Sequence, residues 1–87
     1  MMLVKVLAEE GNLSSSSNVD NATVVRLYNS HSSAALITRR EGNTTIGSLT
    51  VAAGEVIYLE KEPTETLISS LGQDGINVKV SKIAYGN

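Results

Sequence analysis

Short runs rich in β-branched side chains recur along this chain, and in several of them apolar and polar residues alternate. Alternation with a period of two places successive side chains on opposite faces of an extended strand. Each run ends at Gly, Asn, Asp or Ser, which are residues that favour turns. The pattern predicts six or seven short strands, of which six run over residues 3–8, 22–29, 34–40, 44–51, 56–59 and 76–85.

Two of the predicted strands contain an irregularity. Gly47 lies inside the run 44–51, where a glycine indicates a bulge or the close approach of another backbone. In the run 76–85, Ile83 restarts the apolar pattern one residue out of phase, which predicts a bulge near Ser81. Between the first two strands, the polar and serine-rich stretch 9–20 predicts a loop or a weakly ordered edge.

One segment departs from the strand pattern. Its apolar residues Leu67, Ile68 and Leu71 are spaced i, i+1 and i+4, as on one face of a helix. Thr64 is a suitable N-cap, and a glycine follows the segment. We therefore predict a short helix of about two turns over residues 64–71, which must dock on the sheet because so short a helix is not stable alone.

The length and composition limit the architecture. A chain of 87 residues has room for one small domain, residues 1–87. It contains no Phe, Trp or Cys, so the core must be aliphatic and no disulfide can stabilise it. We predict an all-β fold, a small antiparallel β-sandwich. A partly open β-barrel is the alternative, which is less favoured because Gly47 is the only clear glycine within a strand to form a barrel corner.

The composition also excludes several kinds of chemistry. Seven basic and nine acidic residues give a net charge of −2, which argues against nucleic-acid binding. No apolar run approaches the roughly 20 residues of a membrane helix, so we expect no membrane partner. One histidine, no cysteine and no calcium-loop spacing predict neither a metal nor a cofactor.

The sequence gives little support for a catalytic role of any side chain. His31 lies among serines in a predicted turn, where adjacent side chains point apart, and no nucleophile-elbow motif is present. Glu60, Glu62 and Glu65 lack apolar surroundings that would raise a carboxyl pKa, which predicts a charged and solvated strand end. We therefore expect no catalytic residue and no enzyme activity.

The arginines are the candidate binding residues. If strands 22–29 and 34–40 paired as a hairpin, Arg26 would approach Arg39 or Arg40 and form a basic patch suited to an acidic protein surface. Tyr28 and Tyr58 complete the predicted protein-binding set.

Part of the chain resembles a known class of proteins. The segments concerned are VVRLYNS at 24–30, ALIT at 35–38 and TIGSLTVAAGEVIYLEK at 45–61, followed by a Lys-x-Pro exit at Lys61-Glu62-Pro63. They are similar to small, cysteine-free, all-β virion proteins of tailed bacteriophages, especially marine ones. The resemblance covers roughly residues 22 to 70 and implies a capsid decoration or cement protein, or alternatively a neck or tail component. It brings no catalytic residues.

These observations lead to one main hypothesis and one from another class. The first is a structural module of a phage particle, assembled in the host cytoplasm, whose partners are other virion proteins such as the major capsid protein. It would act as a homo-oligomer or in many copies on a lattice, since a small aliphatic fold gains stability from a partner that binds only the folded form. The second is a small nucleic-acid-binding or ligand-binding β-barrel.

Overall fold

The fold consists of two antiparallel sheets. We describe it from a computed structural model, which covers residues 3–72 and 78–85. Eight strands are present in this part of the chain: β1 (Val4–Val6), β2 (Gly11–Asn12), β3 (Val24–Asn29), β4 (Ala35–Glu41), β5 (Thr44–Val51), β6 (Val56–Glu60), β7 (Thr66–Ser69) and β8 (Val78–Tyr85). The prediction of an all-β fold is confirmed.

The strands divide unequally between the sheets. The larger sheet has the order β1-β8-β3-β6, with β2 also paired to β8. The smaller sheet has the order β5-β4-β7. The chain passes between the sheets after β3, β5, β6 and β7, so strands that are consecutive in sequence are often in different sheets.

One apolar core joins the two sheets. Inward side chains of β3 and β8 meet inward side chains of β4 and β7, as the alternating burial along β3 illustrates. The buried members of this core are Leu13, Ala22, Val25, Leu27, Ala35, Ile37, Val51, Leu67, Val78 and Val80. All of them are aliphatic, as the composition predicts.

Leu13 is a core residue that lies in none of the predicted strands. It is only 1% exposed although it lies in the polar stretch 9–20. Its backbone N–H donates to the Val78 carbonyl at 2.9 Å. Further along the same loop, Ser17 exchanges two backbone hydrogen bonds with Leu67, so this loop covers the outer edge of β7.

The predicted helix over 64–71 is wrong. Residues Thr66–Ser69 form β7, which pairs with β4, and Leu67 and Ser69 point into the protein while Ile68 lies on the other face. The apolar spacing is compatible with both structures over so few residues. The strand forms because its backbone groups find partners on both sides. On one side β7 forms a ladder of backbone hydrogen bonds with β4, and on the other side Leu67 exchanges backbone hydrogen bonds with Ser17.

The two predicted bulges have different outcomes. The β4–β5 register shifts between Arg39, which faces Gly47, and Arg40, which faces Thr45, so Ile46 is the extra residue and the bulge at Gly47 is confirmed. The bulge predicted near Ser81 is wrong, since the β3–β8 register continues without interruption from Val78 to Ile83. Ile83 is buried on the opposite face of β8 from the main core, where it pairs with Val6 of β1.

Two turns lie where glycines predicted them. Gly42 and Gly54 have φ values of 60° and 81°, the left-handed region that a side chain disfavours, and they lie in the turns before β5 and β6 as predicted. The predicted turn at 73–75 and the first two residues of the predicted strand 76–85 lie outside the described residues.

The segment before β3 has an unusual backbone. Val19, Asp20 and Asn21 have φ values of 53°, 55° and 56°, so three successive non-glycine residues are left-handed. The Ala22 N–H closes this turn on the carbonyls of Asn18 and Val19, at 3.3 and 3.1 Å. The turn delivers the chain into β3.

Candidate protein-docking surfaces

Three of the five predicted binding residues lie together on the outer face of the larger sheet. Arg26 of β3 is directly opposite Tyr58 of β6, and Tyr28 is directly opposite Val56. Residues opposite each other in an antiparallel pair share a face. We call these four residues the tyrosine–arginine patch.

Direct contacts connect the members of the patch. The Arg26 guanidinium carbon lies 5.8 Å from the centre of the Tyr28 ring, within the range of a cation–π contact. Tyr58 and Val56 are 39% and 37% exposed. The patch thus presents aromatic and aliphatic surface around one cation.

Acidic groups flank the patch. Glu10 accepts from Arg26 at 3.5 Å and from the Ser81 hydroxyl at 3.4 Å, so it lies over the β3–β8 side. Glu60 follows Tyr58 by two positions on β6 and therefore shares its face. The single cation of the patch is consequently balanced by nearby carboxylates.

The other two arginines lie elsewhere. The predicted hairpin between the strands of Arg26 and Arg39 does not form, because β3 pairs with β6 and β8 whereas β4 pairs with β5 and β7. Arg39 points inward and lies 3.6 Å from the Glu65 carboxylate. Arg40 is on the opposite face of the smaller sheet and donates to the Asn43 carbonyl at 3.4 Å. A single basic patch of all three arginines is therefore excluded.

A partly buried charge cluster occupies the end of β6. Lys61 is 3% exposed, and its ammonium donates to the carbonyls of Glu62 and Pro63 at 3.1 and 3.5 Å. Burial lowers the pKa of Lys61 below its ordinary value of 10.5, and the attraction of Glu65 partly opposes this shift.

Glu65 is buried, although we predicted that it would be solvated. It is 6% exposed, and its carboxylate accepts from the Glu62 backbone N–H at 2.7 Å as well as facing Arg39. The expectation of a solvated strand end therefore fails for Glu65 and for the neighbouring Lys61, although Glu60 and Glu62 are exposed as predicted. Position in sequence could not reveal this burial, since it results from β7 lying beside β4.

An open groove lies between the sheets on the side of β5 and β6. Its volume is about 150 Å³, and its walls are mainly apolar. The lining side chains come from β4, β5, β6 and β7 and include Ile37, Leu49, Leu59, Leu67 and Arg39. The space beside Gly47 is open, since a carbon atom added there would meet no other atom within 4 Å. No signal in the sequence identified this groove.

The remaining candidates have structural partners. The His31 Nδ1 accepts from the Ser33 backbone N–H at 2.9 Å, and the His31 N–H donates to the Asn29 side chain at 3.0 Å, so His31 is part of a turn. Within residues 3–72 and 78–85, no three histidine or acidic side chains lie close enough together to hold a metal ion. The same residues include no helix that is long and apolar enough to span a membrane.

Comparison with known proteins does not assign this chain to a class. No family model, curated protein or solved structure matches it.

Proposed function

We propose that this chain is a non-enzymatic structural protein that binds another protein through the tyrosine–arginine patch. The observation that carries this proposal is the clustering of Arg26, Tyr28 and Tyr58 on one sheet face. Tyrosine and arginine are enriched at the energetic centres of protein interfaces, because they bury a large area and retain a hydrogen-bonding group.

The proposed architecture is a β-sandwich. Two observations support it over a partly open barrel: every named strand pairs within one sheet only, and one core lies between the sheets. A sandwich leaves the outer face of each sheet available to a partner. The patch occupies one of these faces.

The proposed setting is a phage particle, where the protein would be a capsid decoration or cement protein. The support for this setting is the resemblance of residues 22–70 to small virion proteins of tailed phages. In this setting the partner is the major capsid protein or another virion protein, and many copies bind one lattice. Repetition makes a weak contact sufficient, because linked binding events reinforce one another. A neck or tail position is the alternative within the same class.

The setting is tested by locating the chain. We expect quantitative mass spectrometry of purified particles from the producing cells to detect it at a fixed ratio to the major capsid protein. Its absence from intact particles that contain all other virion proteins would exclude a structural role there.

The patch is tested by substitution. Tyr58→Ala and Arg26→Glu should each weaken co-sedimentation with particles by about tenfold or more, as expected for central interface residues. Leu36→Ala is the control, because Leu36 is 44% exposed and lies on β4 of the smaller sheet, whereas the patch lies on the larger one. Equal binding by the wild type and both patch variants, all folded, would remove the patch from the interface.

A second candidate function is the binding of single-stranded nucleic acid. The contact between Arg26 and Tyr28 favours it, since bases stack on aromatic rings beside arginine. Glu10 and Glu60 oppose it, because they place negative charge where a phosphate would pass. A titration of single-stranded DNA at low and at moderate salt separates the two functions. A nucleic-acid-binding protein would bind DNA at low salt and lose most of its affinity at moderate salt, because phosphate contacts weaken steeply with salt. For a protein-binding patch we expect no measurable DNA binding at either salt concentration.

A further inference from the structure

The outer edge of β5 is an unpaired strand edge. In the described part of the chain β5 pairs with β4 on one side and with no strand on the other. All of its residues except Val51 are exposed, and none of its eight residues is charged or a proline. Proteins usually protect such edges with charges, prolines or a covering segment, because an open edge pairs readily with another strand.

Hydrogen bonds in β4 show which groups of β5 face outward. The Leu36 carbonyl accepts from the Ser70 N–H at 2.9 Å, so the even-numbered residues of β4 direct their backbone groups towards β7. The odd-numbered residues therefore bond to β5, where Ile37 faces Leu49. It follows that Ser48 and Thr50 direct their N–H and C=O groups to the open edge.

Two features limit the open segment. At one end the bulge at Ile46 interrupts the regular strand. At the other end the next N–H that points to the open edge belongs to Ala52, and it already donates to the Glu55 carboxylate at 2.8 Å. The segment of β5 that is open to a new partner strand is therefore residues 47–51. Leu49 is at its centre, and Ser48 and Thr50 on either side of Leu49 direct their backbone groups to the open edge.

We propose that β5 pairs antiparallel with β5 of a second copy, about a two-fold axis at Leu49. Ser48 of each copy then faces Thr50 of the other, and the two pairs exchange four backbone hydrogen bonds. The smaller sheets of the two copies become one continuous six-stranded sheet.

A second copy can pair at this edge without electrostatic repulsion. None of the residues of β5 is charged, so no like charges lie directly opposite each other when the strand meets its own copy. Leu49 is 37% exposed and lines the apolar groove, and at the axis the two Leu49 side chains lie against each other on the groove side. The contact therefore extends the apolar walls of both grooves.

A charge-exchange experiment tests this pairing without any other partner. The wild-type protein should sediment at twice its 9.2 kDa mass at high concentration. A variant with Ser48→Lys and Thr50→Lys should dimerise at least about tenfold more weakly, and so should one with Ser48→Glu and Thr50→Glu. Mixing the two variants should restore a dimer, because each lysine then faces a glutamate.

The matched control carries Leu36→Lys and Thr38→Lys. These residues face the same side of the sheet as Thr50 and Ser48 but lie on the central strand β4, so dimerisation should not change. Amide exchange of the wild type gives an independent readout, in which Ser48 and Thr50 should become protected as concentration rises.

Three results would overturn the proposal. They are a monomer at every concentration, a dimer that the lysine pair does not weaken, and exchange at Ser48 and Thr50 that is independent of concentration. Because these measurements use the isolated protein, they are separate from the test of the tyrosine–arginine patch.

Discussion

At the scale of single residues, Asn29 is the clearest example of a polar group that the fold requires. It is fully buried at the end of β3, and its amide donates to the carbonyls of Ser33 and Val51, both at 3.0 Å. Its side-chain oxygen accepts from the His31 N–H. One side chain thus holds the β3–β4 connection against the end of β5.

Asn29→Ala should lower the free energy of unfolding by about 2 kcal/mol, because the carbonyls of Ser33 and Val51 lose the Asn29 donor and the His31 N–H loses its acceptor. Urea denaturation followed by circular dichroism measures this change. Asn43→Ala, in the exposed turn before β5, is the control and should change stability by less than about 0.5 kcal/mol. Equal effects of the two substitutions would contradict the role given to Asn29.

Lys61 gives a prediction about pH. Because its pKa is lower in the folded protein than the unfolded value of 10.5, the unfolded chain binds more protons between these two values. The cost of burying the charge is fully present below the folded pKa and is relieved as pH rises towards 10.5. The wild type should therefore gain stability relative to Lys61→Met over this range.

Urea midpoints measured at several pH values from neutral upwards check this prediction. The difference between the wild type and Lys61→Met removes the contributions of all other titrating groups. Lys5→Met, at an exposed position of β1, is the control variant. A difference between the wild type and Lys61→Met that is constant with pH would contradict it.

At the scale of elements, the left-handed turn 19–21 stores backbone strain. An L-residue other than Gly, Asn or Asp pays about 1–2 kcal/mol in this conformation. Asp20→Val should therefore lower the free energy of unfolding by about 1 kcal/mol, whereas Asp20→Gly should leave it nearly unchanged, because easier φ values offset the greater flexibility of the unfolded chain. Thermal unfolding of both variants tests this, and a stabilising valine would contradict the positive φ.

Sequence patterns predicted the bounds of the longer strands well. The strand over 44–51 has the predicted bounds, and β3, β4 and β6 lie within two residues of their predicted ends. Each of these strands has five or more residues and lies between turn signals. β7 has only four residues, too few to distinguish a strand from one turn of helix without knowing its neighbours.

At the scale of the whole molecule, β8 organises the larger sheet. It pairs with β1, β2 and β3, and it supplies Val78 and Val80 to the core. The first and last described strands are therefore direct neighbours, with Val4 opposite Tyr85. Such pairing between distant parts of a chain makes folding cooperative and comparatively slow.

Removal of residues 78–87 should abolish the cooperative unfolding transition, since β1 and β2 lose their only described partner strand and the core loses two valines. Circular dichroism during heating measures the transition. Tyr85→Ala in the intact chain is the control and should unfold cooperatively. A truncated chain that keeps a sharp transition would show that the fold does not need β8.

The sequence alone determined the all-β class, most strand positions, the turns at Gly42 and Gly54 and the aliphatic core, because these follow from local alternation and backbone preference. Only the tertiary structure decided which strands are neighbours. That choice separated Arg26 from Arg39, brought Arg26 beside Tyr58, buried Lys61 and Glu65, and left β5 with an open edge. The physical reason is that strand pairing minimises unpaired backbone groups and exposed apolar area over the whole chain at once, and no local pattern contains that information.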